Sequence, residues 1–309
     1  MSLLESNVFR HSSKDLRDAL TLALAALSEM PSPVQATPIP NTIIGCHINR
    51  AETLLGTFKH FYSEWDARAP CQIFLAGNQY AKEKKFDDDD LVASRAFIES
   101  AGARVYIHAP YSINLSKPRN KKSIDDDESG SWSLKLLIYQ LEVADIIGSR
   151  GVVVHVGKPG LPGKGKTVVP VETAKANMIA GIREVLSVCS PRCQIIIETP
   201  AGQGTELYTS AQELWDFWNE FTPSEHSRMG ICIDTCHVFA AGHDPIEYLE
   251  FWLNHDSTAI ALVHYNDSLM DRGAKKDRHA PIGNGKIGAA ILEKFANIAG
   301  AYGIPMVME

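Results

Sequence analysis

The sequence predicts an α/β protein in which eight parallel strands close into a (β/α)8 TIM barrel with an N-terminal extension. Three observations predict it. Eight short, β-branched runs alternate strictly with longer segments whose apolar residues recur at three-to-four spacing. The runs are nearly continuously apolar, as strands covered on both faces are. The length of 309 residues is long for an ordinary domain but suits a barrel of roughly 250 residues plus an appendage.

Taken in order, residues 1–40 contain one short amphipathic stretch, Asp15 to Met30, followed by Pro31, Pro33, Pro38 and Pro40. This pattern predicts a short helix and a proline-rich linker, leaving residues 41–309 as the barrel domain. The strand candidates are 43–48, 71–76, 103–108, 151–156, 193–198, 230–234, 259–264 and 304–309. Each intervening segment is long enough for a crossover helix. The clearest is Trp132 to Ile147, where Trp132, Leu136, Leu137, Leu141, Ala144 and Ile147 fall on one helical face.

Composition narrows the class. With 45% apolar and 22% charged residues, the chain has material for a core and no signature of disorder. Neither a signal peptide nor a run of about 20 apolar residues is present, so no membrane association is expected. Six cysteines, five of them in hydrophobic runs, read as free buried thiols and fit an intracellular, reducing compartment, cytoplasm or nucleus. The net charge of -7 weighs against nucleic-acid binding unless basic residues are concentrated on one face.

Polar residues that would be costly in a core sit at the ends of strand after strand. His108, Glu198, Asp234, His264 and Glu309 take the last position, His155 the last but one, and His47 the matching place in the first strand. In this barrel all strand C-termini open onto one rim, so these side chains converge. Carboxylates at close quarters repel, and divalent cations neutralise them while giving each imidazole a partner. In Asp234-Thr235-Cys236-His237 the histidine follows the strand-end aspartate by three residues, so both can reach over the rim. Asp277-Arg278-His279 places two metal-type side chains at i and i+2, on one face of an extended backbone. Imidazole and carboxylate without thiolate is the ligand set of catalytic zinc or manganese.

Read in order, the runs HAPYSINLS (108–116), VVVHVGKPG (152–160), IETPAGQGTEL (197–207), GICIDTCHVFAAGHD (230–244), HYNDS (264–268), DRHAPIGNGKIG (277–288) and a terminal MVME resemble the endonuclease IV family over residues 43–309. That resemblance implies three zinc ions per chain, with manganese an alternative at one site. His108 and His155 would hold the first, Glu198 would bridge the first and second, and Asp234, His264 and Glu309 would complete the second. His237, Asp277 and His279 would hold the third, and Tyr111 and Asn114 would lie on the substrate side. The implied activity is DNA repair: hydrolysis of the phosphodiester 5′ to abasic sites in duplex DNA by metal-activated hydroxide, with Glu198 catalytic and a 3′-hydroxyl left behind.

The chain departs from the family pattern in three places. His155-Val156-Gly157-Lys158-Pro159 stands where the family has a His-Pro-Gly-Ser-His run, so the second histidine is replaced. The loop after the second strand carries Asn78, Gln79, Tyr80, Ala81 and Lys82 where the family has an arginine and a tryptophan; Tyr80 is a candidate wedge between bases. The chain ends at Glu309, before the last helix that the resemblance implies. Basic residues on loops that follow strands, among them Lys82, Lys158, Lys276 and Arg278, are candidate phosphate contacts. No protein partner is legible and a monomer is expected. The rival reading is a metal-dependent sugar isomerase or epimerase on the same barrel, and a third is an inactive barrel that binds a partner.

Overall fold

The computed structural model describes residues 43–78, 83–118, 130–160 and 168–309. The expected extension at 1–40, Tyr80 and Lys82 lie outside the described residues.

Eight strands form the closed barrel. They are β1 (Ile44–His47), β2 (Pro70–Phe74), β3 (Arg104–His108), β4 (Gly151–His155), β5 (Gln194–Glu198), β6 (Met229–Asp234), β7 (Ile260–His264) and, last in the chain, β10 (Met306–Met308). Neighbours are parallel throughout, and β10 closes the ring between β7 and β1. All eight expected strands are present. β4 ends at His155 itself, one residue earlier than the apolar run suggests.

Around the barrel lie α1 (Leu54–Glu64), α2 (Asp88–Ala101), α3 (Gly130–Ile147), α4 (Val171–Val188), α5 (Ala211–Trp218), α6 (Pro223–His226), α7 (Thr235–Ala241), α8 (Pro245–Asp256) and α9 (Ala289–Ala301). The crossovers from β5 to β6 and from β6 to β7 thus use two helices each. The crossover from β7 to β10 places the hairpin β8 (Asp267–Ser268) and β9 (His279–Ala280) ahead of α9.

Local signals explain these boundaries. Thr53 caps α1 by accepting from Gly56 N, and the Asp90 carboxylate of α2 accepts from Leu54 N at 2.8 Å and Leu55 N at 3.0 Å, locking two neighbouring helices together. Ser210 and Glu213 form a reciprocal capping box at α5. The six apolar positions expected on α3 are all buried.

Two apolar layers result. Helix faces and outward strand residues, including Phe58, Leu137, Trp218, Trp252 and Phe295, make one large core. Inside the barrel, Tyr106, Val153, Ile196, Cys232, Leu262 and Val307 form a separate plug. Each plug residue lies two positions before a candidate site residue: His108, His155, Glu198, Asp234, His264 and Glu309. Since strand side chains alternate with period two, those six also face the barrel axis, one layer above the plug.

Candidate metal centre

The strand registers set this layer. His155 lies beside Glu198 and Asp234 beside His264 across adjacent strands. Glu198 is buried and divides its oxygens between two sides. Oε2 lies 3.2 Å from His108 Nε2 and 3.1 Å from His155 Nε2, while Oε1 lies 2.9 Å from His264 Nδ1. On the second side, Glu309 Oε2 stands 3.2 Å and Asp234 Oδ2 3.8 Å from the same His264 nitrogen.

Asp234 has two tasks. Its Oδ1 caps α7 by accepting from His237 N at 2.8 Å, which fixes the helix that carries the His237 side chain. Its Oδ2 faces the site and accepts from Asn266 Nδ2 at 2.9 Å. Beside it, Asp277 reaches His237 Nε2 at 3.2 Å and His279 Nε2 at 3.1 Å. The hairpin bearing Asp277 and His279 is joined to the end of α7 through Gly273 N to Phe239 O and Lys275 N to Ala240 O, so the three residues share one frame.

Among the described residues five groups therefore have donor atoms within 4.8 Å of one another. Three of them, His108, His155 and Glu198, then Glu198, Asp234, His264 and Glu309, then His237, Asp277 and His279, take in every candidate ligand. The other two, His108 with His264 and Glu309 and Asp234 with Cys236 and His279, cross between them. Hydrogen bonding tests whether a cation fits. His108 Nδ1 donates to Ala109 O at 2.7 Å and His237 Nδ1 donates to Thr199 O at 2.9 Å. A carbonyl only accepts, so the proton sits on Nδ1 and a neutral ring turns its Nε2 lone pair toward a carboxylate. Two acceptors about 3 Å apart repel unless a proton or a metal ion joins them, so the site holds positive charge in either form. His237 Nε2 is buried and lacks a hydrogen-bond partner. The donor set suits zinc or manganese.

Charge shows the same preparation. Burial resists ionisation of His237, but Asp234 and Asp277 outweigh it and hold its pKa well above the ordinary value. Burial likewise opposes charge on Asp277, and His237 and His279 override it, drawing the carboxyl far below its usual range. For His155 burial prevails, lowering its pKa to about 4, so the ring is neutral with a free lone pair at neutral pH. Burial raises the pKa of Asp234 against the pull of its histidines.

The remaining expected contacts differ in placement. Tyr111 is 43% exposed and stands edge-on to His108 and His155, at 5.4 and 5.2 Å between ring centroids. Arg278, Lys158 and Lys276 are exposed. Asn114, expected toward the substrate, spends its amide on the protein: Oδ1 accepts from Ser116 N, Ser116 Oγ and Lys158 N, and Nδ2 donates to Lys158 O at 2.9 Å. It ties the loop after β3 to the loop after β4.

Sequence reasoning missed the neutral residues around the centre. Gln72, fully buried in β2, contacts His47, His264 and Glu309; Asn266 contacts Asp234 and Glu309; Thr199 contacts His237 and, through Oγ1, Asp234 N. Asp267, also buried, accepts from the backbone N–H groups of Ser268, Gly283, Gly285, Ile287 and Gly288, which pins the loop after β9. A glutamine inside the apolar run 71–76 was the one available signal, since such a group is costly there without partners.

Comparison with known proteins agrees with this architecture. The family described as xylose isomerase-like TIM barrel matches residues 71–309. The fold and rim thus define a barrel of that class. A putative endonuclease 4 of Acanthamoeba polyphaga mimivirus is 30% identical over 277 residues, 87% of this chain and 85% of that protein. A probable endonuclease 4 of Symbiobacterium thermophilum is 30% identical over 86% of this chain and 92% of its own length. The crystal structure of endonuclease IV from Thermus thermophilus superposes with a TM-score of 0.69 at 25% identity, covering 87% of this chain and 92% of that one. Within the barrel class, the chain belongs to the endonuclease IV family.

Proposed function

We propose that the protein is a zinc-dependent deoxyribonuclease that hydrolyses the phosphodiester 5′ to an abasic site in duplex DNA and leaves a 3′-hydroxyl. The observation that carries the reading is Glu198, whose two oxygens face separate histidine sets while the His237, Asp277 and His279 group stands alongside. In this reading His108, His155 and Glu198 hold one ion. Glu198, Asp234, His264 and Glu309 hold a second, and His237, Asp277 and His279 a third. Zinc held by these residues would supply Lewis acidity, the means of making water nucleophilic near neutral pH and of offsetting charge on the phosphoryl and leaving oxygens.

The protein's own groups do the rest. The hydrogen bonds from His108 to Ala109 and from His237 to Thr199 hold both rings with a nitrogen lone pair turned inward. Tyr111 forms an exposed wall beside His108 and His155, against which a sugar lacking its base can rest. Four carboxylates against three divalent ions leave the centre formally positive, and Arg278, Lys158 and Lys276 extend that field outward. Extruding a nucleotide without a base costs less than flipping an intact one, so damage is selected without a sequence code.

The rival sugar isomerase or epimerase shares the barrel but gives the His237, Asp277 and His279 group no task. An end-labelled duplex carrying one tetrahydrofuran abasic analogue separates the two. This analogue cannot undergo β-elimination, so a single cut on its 5′ side with a 3′-hydroxyl end supports the proposal. An intact duplex with metal-loaded, folded protein refutes it.

A further inference from the structure

We infer that Gln72 is the positioning residue that selects the ring tautomer of His264 and thereby prepares the Glu198, Asp234, His264 and Glu309 group; the inference rests on the proposal that this group holds a metal ion. Gln72 lies inside β2 with no solvent exposure, where an amide without partners would be costly. All its partners belong to the rim. Nε2 lies 2.8 Å from Glu309 Oε1 and 2.9 Å from His47 Nδ1, and Oε1 lies 2.9 Å from His264 Nε2.

The carboxylate decides which way the amide points. Rotating Gln72 by half a turn would set its oxygen 2.8 Å from Glu309 Oε1, two acceptors in contact. The amide nitrogen must therefore face Glu309, with its second N–H toward His47 Nδ1. Oε1 is left to face His264, and because a carbonyl only accepts, the His264 proton must sit on Nε2. Nδ1 then carries the lone pair. It is Nδ1 that stands 2.9 Å from Glu198 Oε1, 3.2 Å from Glu309 Oε2 and 3.8 Å from Asp234 Oδ2.

Gln72 thus passes the constraint of a negative charge on one side of the group to the ring on the other. His108 and His237 use backbone carbonyls for the same purpose. For His264 the acceptor is a side chain, so it can be removed by substitution. The same amide fixes His47, leaving the His47 proton on Nε2.

The test compares wild type with Gln72→Met, which keeps volume but loses every bond, and with Gln72→Glu, which keeps an acceptor for His264 but sets an oxygen against Glu309. Histidine tautomers are read by long-range 1H–15N correlation on 15N-histidine-labelled, zinc-loaded protein. Zinc affinity is read by competition with a chromophoric chelator. The wild type is expected to show His264 protonated at Nε2 and ligated through Nδ1. Gln72→Met is expected to weaken one zinc by about 10-fold to 100-fold and leave the others in place. Gln72→Glu is expected to keep the tautomer while weakening the same zinc, so it carries the test if the methionine variant does not fold. Zinc affinity within two-fold of wild type together with an unchanged His264 tautomer in Gln72→Met, or zinc affinity unchanged in Gln72→Glu, overturns the inference. If wild type binds no zinc, the metal proposal fails separately. The tautomer of the metal-free protein, read at alkaline pH, then still decides whether Gln72 sets it.

Discussion

Glu198 and His264 meet at 2.9 Å, carboxylate oxygen against Nδ1, while the opposite oxygen of Glu198 is shared by His108 and His155. One carboxylate thus belongs to two ligand groups, and its loss should disable both. Glu198→Gln keeps the shape but removes the charge. Turnover on abasic duplex is expected to fall by more than the roughly 10-fold to 100-fold typical of groups one step removed from a metal. Metal content should drop by at least one ion. Elemental analysis beside the cleavage assay checks this, and near wild-type rate with full metal content would remove Glu198 from its bridging role.

The His237, Asp277 and His279 group separates the endonuclease from the isomerase reading. Wild type is expected to bind three divalent ions, and His279→Ala two, with near-ultraviolet circular dichroism unchanged because His279 is partly exposed in a two-residue strand. Mass spectrometry under non-denaturing conditions counts the ions directly. Two ions in wild type would favour the sugar-acting class.

Much of this centre was legible because strand ends carry it. His108, Glu198, Asp234 and His264 stand out against apolar runs, and period-two alternation places them on the same inner surface as the plug residues. The hairpin β8–β9 was not legible, since two-residue strands leave no periodic signal. Nor was the use of Asn114, whose chemistry suits a substrate or a loop equally and whose partners at Ser116 and Lys158 are set by the fold. Thr199 directly follows Glu198 and Asn266 directly precedes Asp267, carboxylates whose signal hides theirs.

Asp267 should prove structural and functional together. Its carboxylate collects five backbone N–H groups from Ser268 to Gly288, and a Cβ at Gly285 would lie 2.4 Å from its Oδ1. Asp267→Ala strands those donors, and with hydrogen bonds to a charged group worth about 1.5–3 kcal/mol each, a loss of about 3 kcal/mol or more is expected. Urea denaturation measures it. Gly285→Ala is expected to weaken the third metal ion with a smaller loss of stability, since β9 and its His279 precede the displaced loop.

Protons and zinc should compete at the centre. Burial opposes charge on His237 and His264, but Asp234 and Asp277 around the first, and Cys232, Glu309 and Glu198 around the second, raise both pKa values well above the ordinary one. A raised histidine pKa contributes stability that is complete below the unfolded value of about 6.5 and is lost as pH rises through the folded value. The metal-free protein is therefore expected to melt at progressively lower temperature as pH rises above about 6.5. Zinc binding expels the same protons, so its stabilisation should grow over that window. Melting curves with zinc and with chelator, taken across neutral pH, should diverge upward. A constant gap would show that these rings do not exchange protons for metal.

The overall charge of -7 opposes DNA binding, so affinity must come from local fields. Exposed Arg278, Lys158 and Lys276 lie on loops that follow strands, on the face bearing the carboxylates and imidazoles. If each meets a phosphate, the logarithm of the binding constant falls linearly with the logarithm of salt concentration, with a slope of about -0.9 for each contact. Replacing any one with alanine should weaken binding to abasic and intact duplex alike and make the slope shallower by about one unit. Fluorescence anisotropy between low and moderate salt, with zinc held constant, measures both. A slope unaffected by all three substitutions would move the DNA path to other basic residues of the same rim, whereas no salt dependence at all would refute phosphate-led binding.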